Sequence, residues 1–475
     1  MINNINELFN LLPLIILGTG ILISVLLEIY INKSETIVQW FSVLIFLSAG
    51  IFSLINVKAE SVVLQNMLAT GGTTNIFYFI FNIGAAIVCL LSFDYIKKYG
   101  TYFGEYYILI QSSVLGMMLM AGAKDLFVIF LALELMSIPF YVLAGLNRKK
   151  LNAVEASLKY FLLGSFATGF LVYGIALIYG SAQTTSLELI ASKYAEMNDN
   201  LLFMIGILLF LIGFSFKIAA FPFHMWVPDV YQGSPTTIAG LFSTGGKAAA
   251  FSAIIVSLSP LFSGTPDVLF SPYLSVIAVF SMLFGSIVAI AQDNIKRMLA
   301  YSSISHAGYM LIGLAAGNSS GTAGVIFYLA VYTFMNLAAF GIIAIIEGKN
   351  DNNLNINSYA GLGSKHPVLA ALLSLVMFSL AGIPPLAGFF AKYYIFISAI
   401  QSGLTWLAIL GVISSVISVY FYLRIVVLMY FKSAEQEIQF EKSASGMFGI
   451  VISVLLIIIL GLVPGSLIDL ISSFV

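Results

Sequence analysis

Four ionisable side chains stand where an apolar chain should carry none. Glu134 lies in LFVIFLALELMSIPFYVL, Lys217 in LIGFSFKIAAFPFHMW, Lys247 in TTIAGLFSTGGKAAAFSAII and Lys392 in GIPPLAGFFAKYYIF. Against lipid each would cost on the order of 2.5–3.5 kcal/mol. They must therefore face inward, toward polar partners or water. The chemistry that suits them is proton relay. Burial disfavours a charged lysine, and a nearby carboxylate restores it. A Glu–Lys pair is thus adjustable: moving the carboxylate away lets the lysine release a proton, and a second lysine further along accepts it. A single buried pair is as readily a structural device. Four such residues beside two interrupted helices favour the relay.

The interruptions are Pro222, five residues after Lys217, and Gly382-Ile383-Pro384-Pro385, before Lys392. A broken helix frees backbone groups and makes room for water, and inside a bilayer it is tolerated only where it lines a cavity or is buried in protein. His224 follows the first break, and His306 sits in KRMLAYSSISHAGYMLIG beside Ser302, Ser303 and Ser305. An imidazole titrates near neutrality, which suits proton transfer, although either histidine could instead simply hydrogen-bond a neighbouring helix. Lys159 and Arg424 lie nearer span ends, where snorkelling explains them as well as function does. Asp229 is a candidate cap for the span after it, with Ser234 or Thr236 closer to the helix start.

The elements that must position these residues are helices in lipid. The chain has 475 residues, 60% of them hydrophobic and 9% charged, with net charge −1. That composition leaves too little polar surface for a water-soluble domain. Nor does it point to a nucleic-acid partner. A spanning helix needs roughly 20 apolar residues, and the sequence predicts fourteen, an all-α bundle. They fall at about 11–31, 36–57, 76–96, 106–123, 126–146, 157–180, 201–226, 236–259, 271–291, 298–316, 323–347, 367–397, 403–431 and 447–470. The amino-terminal MINNINELFN lacks the basic region of a signal peptide, so the first span is read as retained.

Five spans separate the two breaks. An odd offset inverts one copy relative to the other, and paired interruptions in inverted halves point to a transport pathway. The expected organisation is one polytopic membrane domain, 1–475. It comprises a three-helix segment over 1–100, a first repeat over 106–259 (spans four to eight), a second over 271–431 (spans nine to thirteen) and a final helix over 447–470. Spans seven and twelve are the broken ones.

Connectors after odd-numbered spans hold Lys33, Lys97, Lys98, Arg148, Lys149, Lys150, Lys296, Arg297, Lys349, Lys365, Lys432 and Lys442. Connectors after even-numbered spans hold only Lys58, Lys124 and Lys193. Positive charge marks the cytoplasmic side. Both termini are then expected on the outer face of the cell (inner) membrane.

Several chemistries are not encoded. One cysteine, Cys89, cannot ligate an iron–sulfur cluster. No phosphate-cradling glycine motif is placed between a strand and a helix. Three scattered histidines without carboxylates at ligand spacing argue against a metal site.

The motifs LALELMSIPFYVL, FKIAAFPFHMWVPDVYQGSPT, GGKAA, NIKRMLAYSSISHAGYMLIGL and GIPPLAGFFAKYYIF together resemble the antiporter-like subunits of respiratory complex I, relatives of multisubunit cation/proton antiporter subunits. The resemblance covers spans four to thirteen. It implies fourteen helices with two inverted five-helix repeats. It also implies a proton channel in which Glu134 pairs with Lys217, Lys247 relays and Lys392 controls exchange with the outer side. NAD, FMN, iron–sulfur clusters and quinone would belong to partner subunits, with no cofactor on this chain. Its partners would be other membrane-arm subunits, the lipid bilayer and protons. The same intramembrane residues would also serve a cation/proton antiporter, or a related complex fed by ferredoxin or formate.

Overall fold

The protein is described here by a computed structural model covering residues 5–31, 34–100, 103–197, 199–258, 270–348, 351–433 and 443–475. Among these, ten helices are long and apolar enough to cross a membrane. Each coincides with an expected span. The seventh and twelfth segments are split, as their Gly and Pro residues demand, into Leu201–Lys217 followed by Val227–Gly233, and Pro367–Ala381 followed by Ala387–Gln401. The two other segments, Glu105–Gly122 and Ile295–Ala315, are helices that carry buried polar side chains. In the first of these, Gln111 donates to Ser24 and Ser42 at 3.0 and 2.7 Å, tying it to the two amino-terminal helices.

Three details depart from expectation. The connector before Gly72 forms a small antiparallel hairpin, Ser61–Val63 with Leu68–Thr70, so the fold is not purely α. The last segment is two helices, Ala444–Leu462 and Pro464–Ser472, because Pro464 cannot donate to the preceding turn and instead starts a new helix. The eighth segment is interrupted too. A π-helical turn, Phe242–Gly246, separates Thr236–Leu241 from Lys247–Leu258.

The core lies along Ser319–Ile346 and the Lys247 helix, nearly all of whose residues are buried. Leu151–Ala182 instead exposes Leu158, Phe161, Leu162, Phe166 and Tyr173, the apolar face a lipid-contacting helix needs. Ile295–Ala315 explains itself by position. It is rich in serine yet almost wholly buried, so its polar groups meet protein and not lipid.

The basic connectors gather at one end of the bundle. Lys98 donates to the Glu347 carbonyl, Lys150 pairs with Asp351 at 2.6 Å, and Lys296 donates to the Ser234 carbonyl at 2.7 Å. At the other end the Lys124 amide donates to the Met67 carbonyl at 2.9 Å and Lys193 to the Ala182 carbonyl at 3.0 Å. Lys33, Lys349 and Lys442 lie outside the described residues.

Candidate functional site

Lys217 is the last residue of its half-helix. The chain then turns by a left-handed step at Ala219, φ +65°. The Ala220 amide donates to the Ser215 carbonyl and the Ala219 amide to that of Phe216, which closes the helix end as a Schellman motif. The Lys217 ammonium donates to Ser137 Oγ at 2.8 Å and Tyr141 Oη at 3.2 Å, both on the Glu134 helix, Leu126–Ala144. Glu134 lies three residues before Ser137, on the same face. It is only half-buried, and its Oε1 accepts from Thr168 at 2.9 Å on the Leu151–Ala182 helix. Among the described residues no ion pair joins Glu134 to Lys217. The Ser137 hydroxyl occupies the ammonium, and the carboxylate turns one helical turn away toward Thr168.

Lys247 follows directly on the π-turn. Such turns widen the backbone and recur at functional sites. Its ammonium donates to the carbonyl and, at 2.6 Å, to the hydroxyl of Ser303, and lies 5.7 Å from the Tyr332 ring centre. Next to Ser303, Ser302 is hydrogen-bonded to Tyr422. The Tyr422 hydroxyl meets His306 Nε2 at 3.0 Å, and Tyr328 meets His306 Nδ1 at 2.6 Å. Tyr309 donates to Ser414 at 3.2 Å. Ser414 and Ser305 both bond Ser286, at 3.0 and 2.9 Å.

Lys392 ends this polar stretch. Its half-helix follows Pro367–Ala381, which closes as a second Schellman motif around Gly382, φ +86°. The ammonium donates to the carbonyls of Leu380 and Ala381 at 3.2 and 3.0 Å and to Ser415 at 2.8 Å, 5.0 Å from the Tyr309 ring centre. A cation at the carboxyl end of a helix is favoured by the helix dipole. All three lysines are buried, 6%, 2% and 5% exposed in chain order.

The structure therefore brings Lys247, His306 and Lys392 into one region of hydroxyls, with Lys217 and Glu134 on a separate stretch. His224 joins neither. It is buried beside Phe221 and Phe284, 5.4 and 4.6 Å between ring centres, and its Nδ1 has no hydrogen-bond partner. The hydroxyl partners Ser137, Tyr141 and Tyr422 were not singled out from the sequence, and Ser303 was noted only as a neighbour of His306. The first two could have been found as the i+3 and i+7 neighbours of Glu134. No set of three His, Cys, Asp or Glu residues among those described converges as a metal site, and Cys89 is fully buried, a poor match for a cluster ligand.

Asp229 does not cap the following helix. One oxygen pairs with Lys159 and the other with Arg297, both at 2.7 Å, and Lys159 also meets Glu155 at 2.7 Å. Arg424 reaches Asp293 at 3.3 Å at the same end. Partial burial raises the Asp229 carboxyl, but the bonded Lys159 and Arg297 outweigh it and hold the group below the ordinary carboxylate range. A depressed carboxyl stabilises the fold above its unfolded value, about 3.9, and that stability fades as pH falls through the lower folded value. With the cluster partly exposed, its contribution is modest, about 1 kcal/mol. Thermal denaturation of wild type and Asp229→Asn in detergent should differ by about a degree at pH 7, and the two curves should converge as pH falls below the ordinary carboxylate range.

A family model described as NADH:quinone oxidoreductase/Mrp antiporter, TM, matches residues 123–418. NADH-quinone oxidoreductase subunit N of Trichlorobacter lovleyi is 43% identical over 98% of both chains. The subunit N of Pelagibacter ubique is 38% identical over 97% of this chain and 98% of that one. A chain of respiratory complex I from Thermus thermophilus superposes with a TM-score of 0.84 at 31% identity, covering 97% of this chain and 99% of the other. A chain of the Mrp complex from a Dietzia species shares the fold, with a TM-score of 0.85 at 20% identity over 98% and 96%. The chain belongs to the NADH:quinone oxidoreductase/Mrp antiporter family of membrane subunits, and within it to the NADH-quinone oxidoreductase subunit N group.

Proposed function

We propose that this chain moves protons across the membrane as a non-redox subunit of an NADH:quinone oxidoreductase, while partner subunits transfer the electrons. In this reading it crosses the bilayer fourteen times, as two inverted five-helix repeats plus flanking helices, with its basic connectors in the cytoplasm. NAD, FMN, iron–sulfur clusters and quinone belong to the partners. Glu134 and Lys217 form one switchable pair, Lys247 and His306 continue the path, and Lys392 exchanges with the outer side.

One observation carries the reading. Lys217 and Lys247 lie at irregular turns inside the bundle and the Lys392 ammonium reaches one at the end of Pro367–Ala381, and among the described residues each is held by hydroxyl or carbonyl oxygens and by no carboxylate. A hydroxyl can accept from an ammonium and donate to a neutral amine. Each lysine can therefore lose or gain its proton without stranding its partner.

Lys217→Ala tests the role of the first carrier. The complex should assemble, and NADH-driven proton translocation should fall at least about a hundredfold, the low side of what a positioned proton donor contributes. Translocation equal to wild type would sink the relay. The shared Mrp fold keeps an ion/proton antiporter in view. Co-purification in mild detergent decides between them, by yielding either hydrophilic iron–sulfur subunits or other antiporter subunits.

A further inference from the structure

One buried acid is unused by this path. Glu347 ends the Ser319–Ile346 helix at the basic end of the bundle and is 1% exposed. Its Oε2 accepts from Thr236 Oγ at 2.6 Å, while Oε1 is buried with no hydrogen-bond partner among the described residues. Lys296, also 1% exposed, holds the nearby Ser234 carbonyl at 2.7 Å. Ser234 and Asp351 line a small open cleft with Tyr95, Lys150 and Pro235, next in the chain to the Thr236 that binds Glu347.

The same helix leads inward. Asn336 and Tyr332 lie eleven and fifteen residues before Glu347, about 16 and 22 Å along the axis, and Tyr332 faces within about 60° of it at 100° per residue. Both are buried. The Asn336 amide and the Tyr332 hydroxyl have no partner, and the Tyr332 ring stands beside the Lys247 ammonium. Thr236, which binds Glu347, begins the helix that carries Lys247 three turns on. Buried polar groups nearly always find a partner, and water is the partner when protein supplies none. Two such groups on the inner turns of this helix, beside a buried lysine and below a buried acid, are a place for water.

We propose that Glu347 loads protons for Lys247. The carboxylate takes a proton from water in the cleft and becomes neutral. It then gives that proton, through water held by Asn336 and Tyr332, to the neutral Lys247 amine, restoring one carboxylate and one ammonium. Glu347 carries the proton, and Asn336 is a positioning residue. The inference rests on the relay reading above.

The test measures protons moved per NADH oxidised by the whole complex in proteoliposomes. Glu347→Gln should lower the ratio several-fold, and Glu347→Asp should restore most of it. Ser252→Ala, which removes a buried hydrogen bond to its own helix and touches no group of the path, should stay near wild type. Asn336→Leu loses no bond to another side chain and should lower the ratio too. It decides the matter if Glu347→Gln fails to assemble. A wild-type ratio in Glu347→Gln, an equal loss in Ser252→Ala, or no effect of Asn336→Leu overturns the proposal. If Lys247→Met blocks translocation while Glu347→Gln does not, only this inference fails. If neither variant does, the relay itself fails.

Discussion

Lys247→Arg is expected to assemble into the complex and to translocate protons at about one hundredth of the wild-type rate, on the scale of a lost general acid–base group. The reasoning turns on what arginine keeps. It keeps the positive charge and can still donate to the Ser303 carbonyl and hydroxyl, so a structural cation would be replaced in kind. It cannot give up its proton under any condition the protein meets. Charge and proton transfer are thereby separated at one position. The guanidinium is larger than the ammonium, and overpacking of a core costs about 1–3 kcal/mol. Lys247→Met, which keeps the stem and removes the charge, is the companion variant and should be equally silent. The Ser303 oxygens would then lose their donor, at about 1–3 kcal/mol, which thermal denaturation registers as a separate loss. Proton translocation at the wild-type rate in either variant would exclude Lys247 as a carrier.

The proposed carriers were legible because each broke a rule of its surroundings. Lys217, Lys247, Lys392 and His306 stand out in apolar or small-residue runs, and all are buried. Pro222 and Gly382–Pro385 marked the broken helices for the same reason. What surrounds the carriers was not legible. Serine and tyrosine are ordinary in spans, where they bond their own backbone or help helices pack. Nothing local tells Ser303, which holds Lys247, from Ser252, which bonds the carbonyl of Ala249. Asp229 read as a cap because sequence shows only neighbours, whereas its partners Lys159 and Arg297 come from helices far away in the chain. Glu347 read only as the end of the eleventh span, 323–347. Its burial depends on Thr236, 111 residues distant. The π-turn was hidden as well, for Gly245-Gly246 fits a close helix contact equally well, and Phe140 does approach Gly246.

Gly382→Ala is expected to abolish most proton translocation even though it removes no polar group. Two costs act at this position. The backbone sits at φ +86°, where a Cβ atom costs roughly 1–2 kcal/mol. The new methyl would also meet Lys392 Cδ at 3.1 Å and Nζ at 3.3 Å. The ammonium must then shift by a few tenths of an ångström against the Leu380 and Ala381 carbonyls and the Ser415 hydroxyl, the contacts that place it beside Tyr309. Gly403→Ala separates the two costs. It imposes the same kind of strain at φ +78°, but its Cβ would have nothing within 4 Å. Both variants should lose comparable thermal stability. Only Gly382→Ala should lose proton translocation, to the level of Lys392→Ala. If the two alanine variants pump alike, the position of the Lys392 ammonium does not matter, and the second break is merely a bend in a helix.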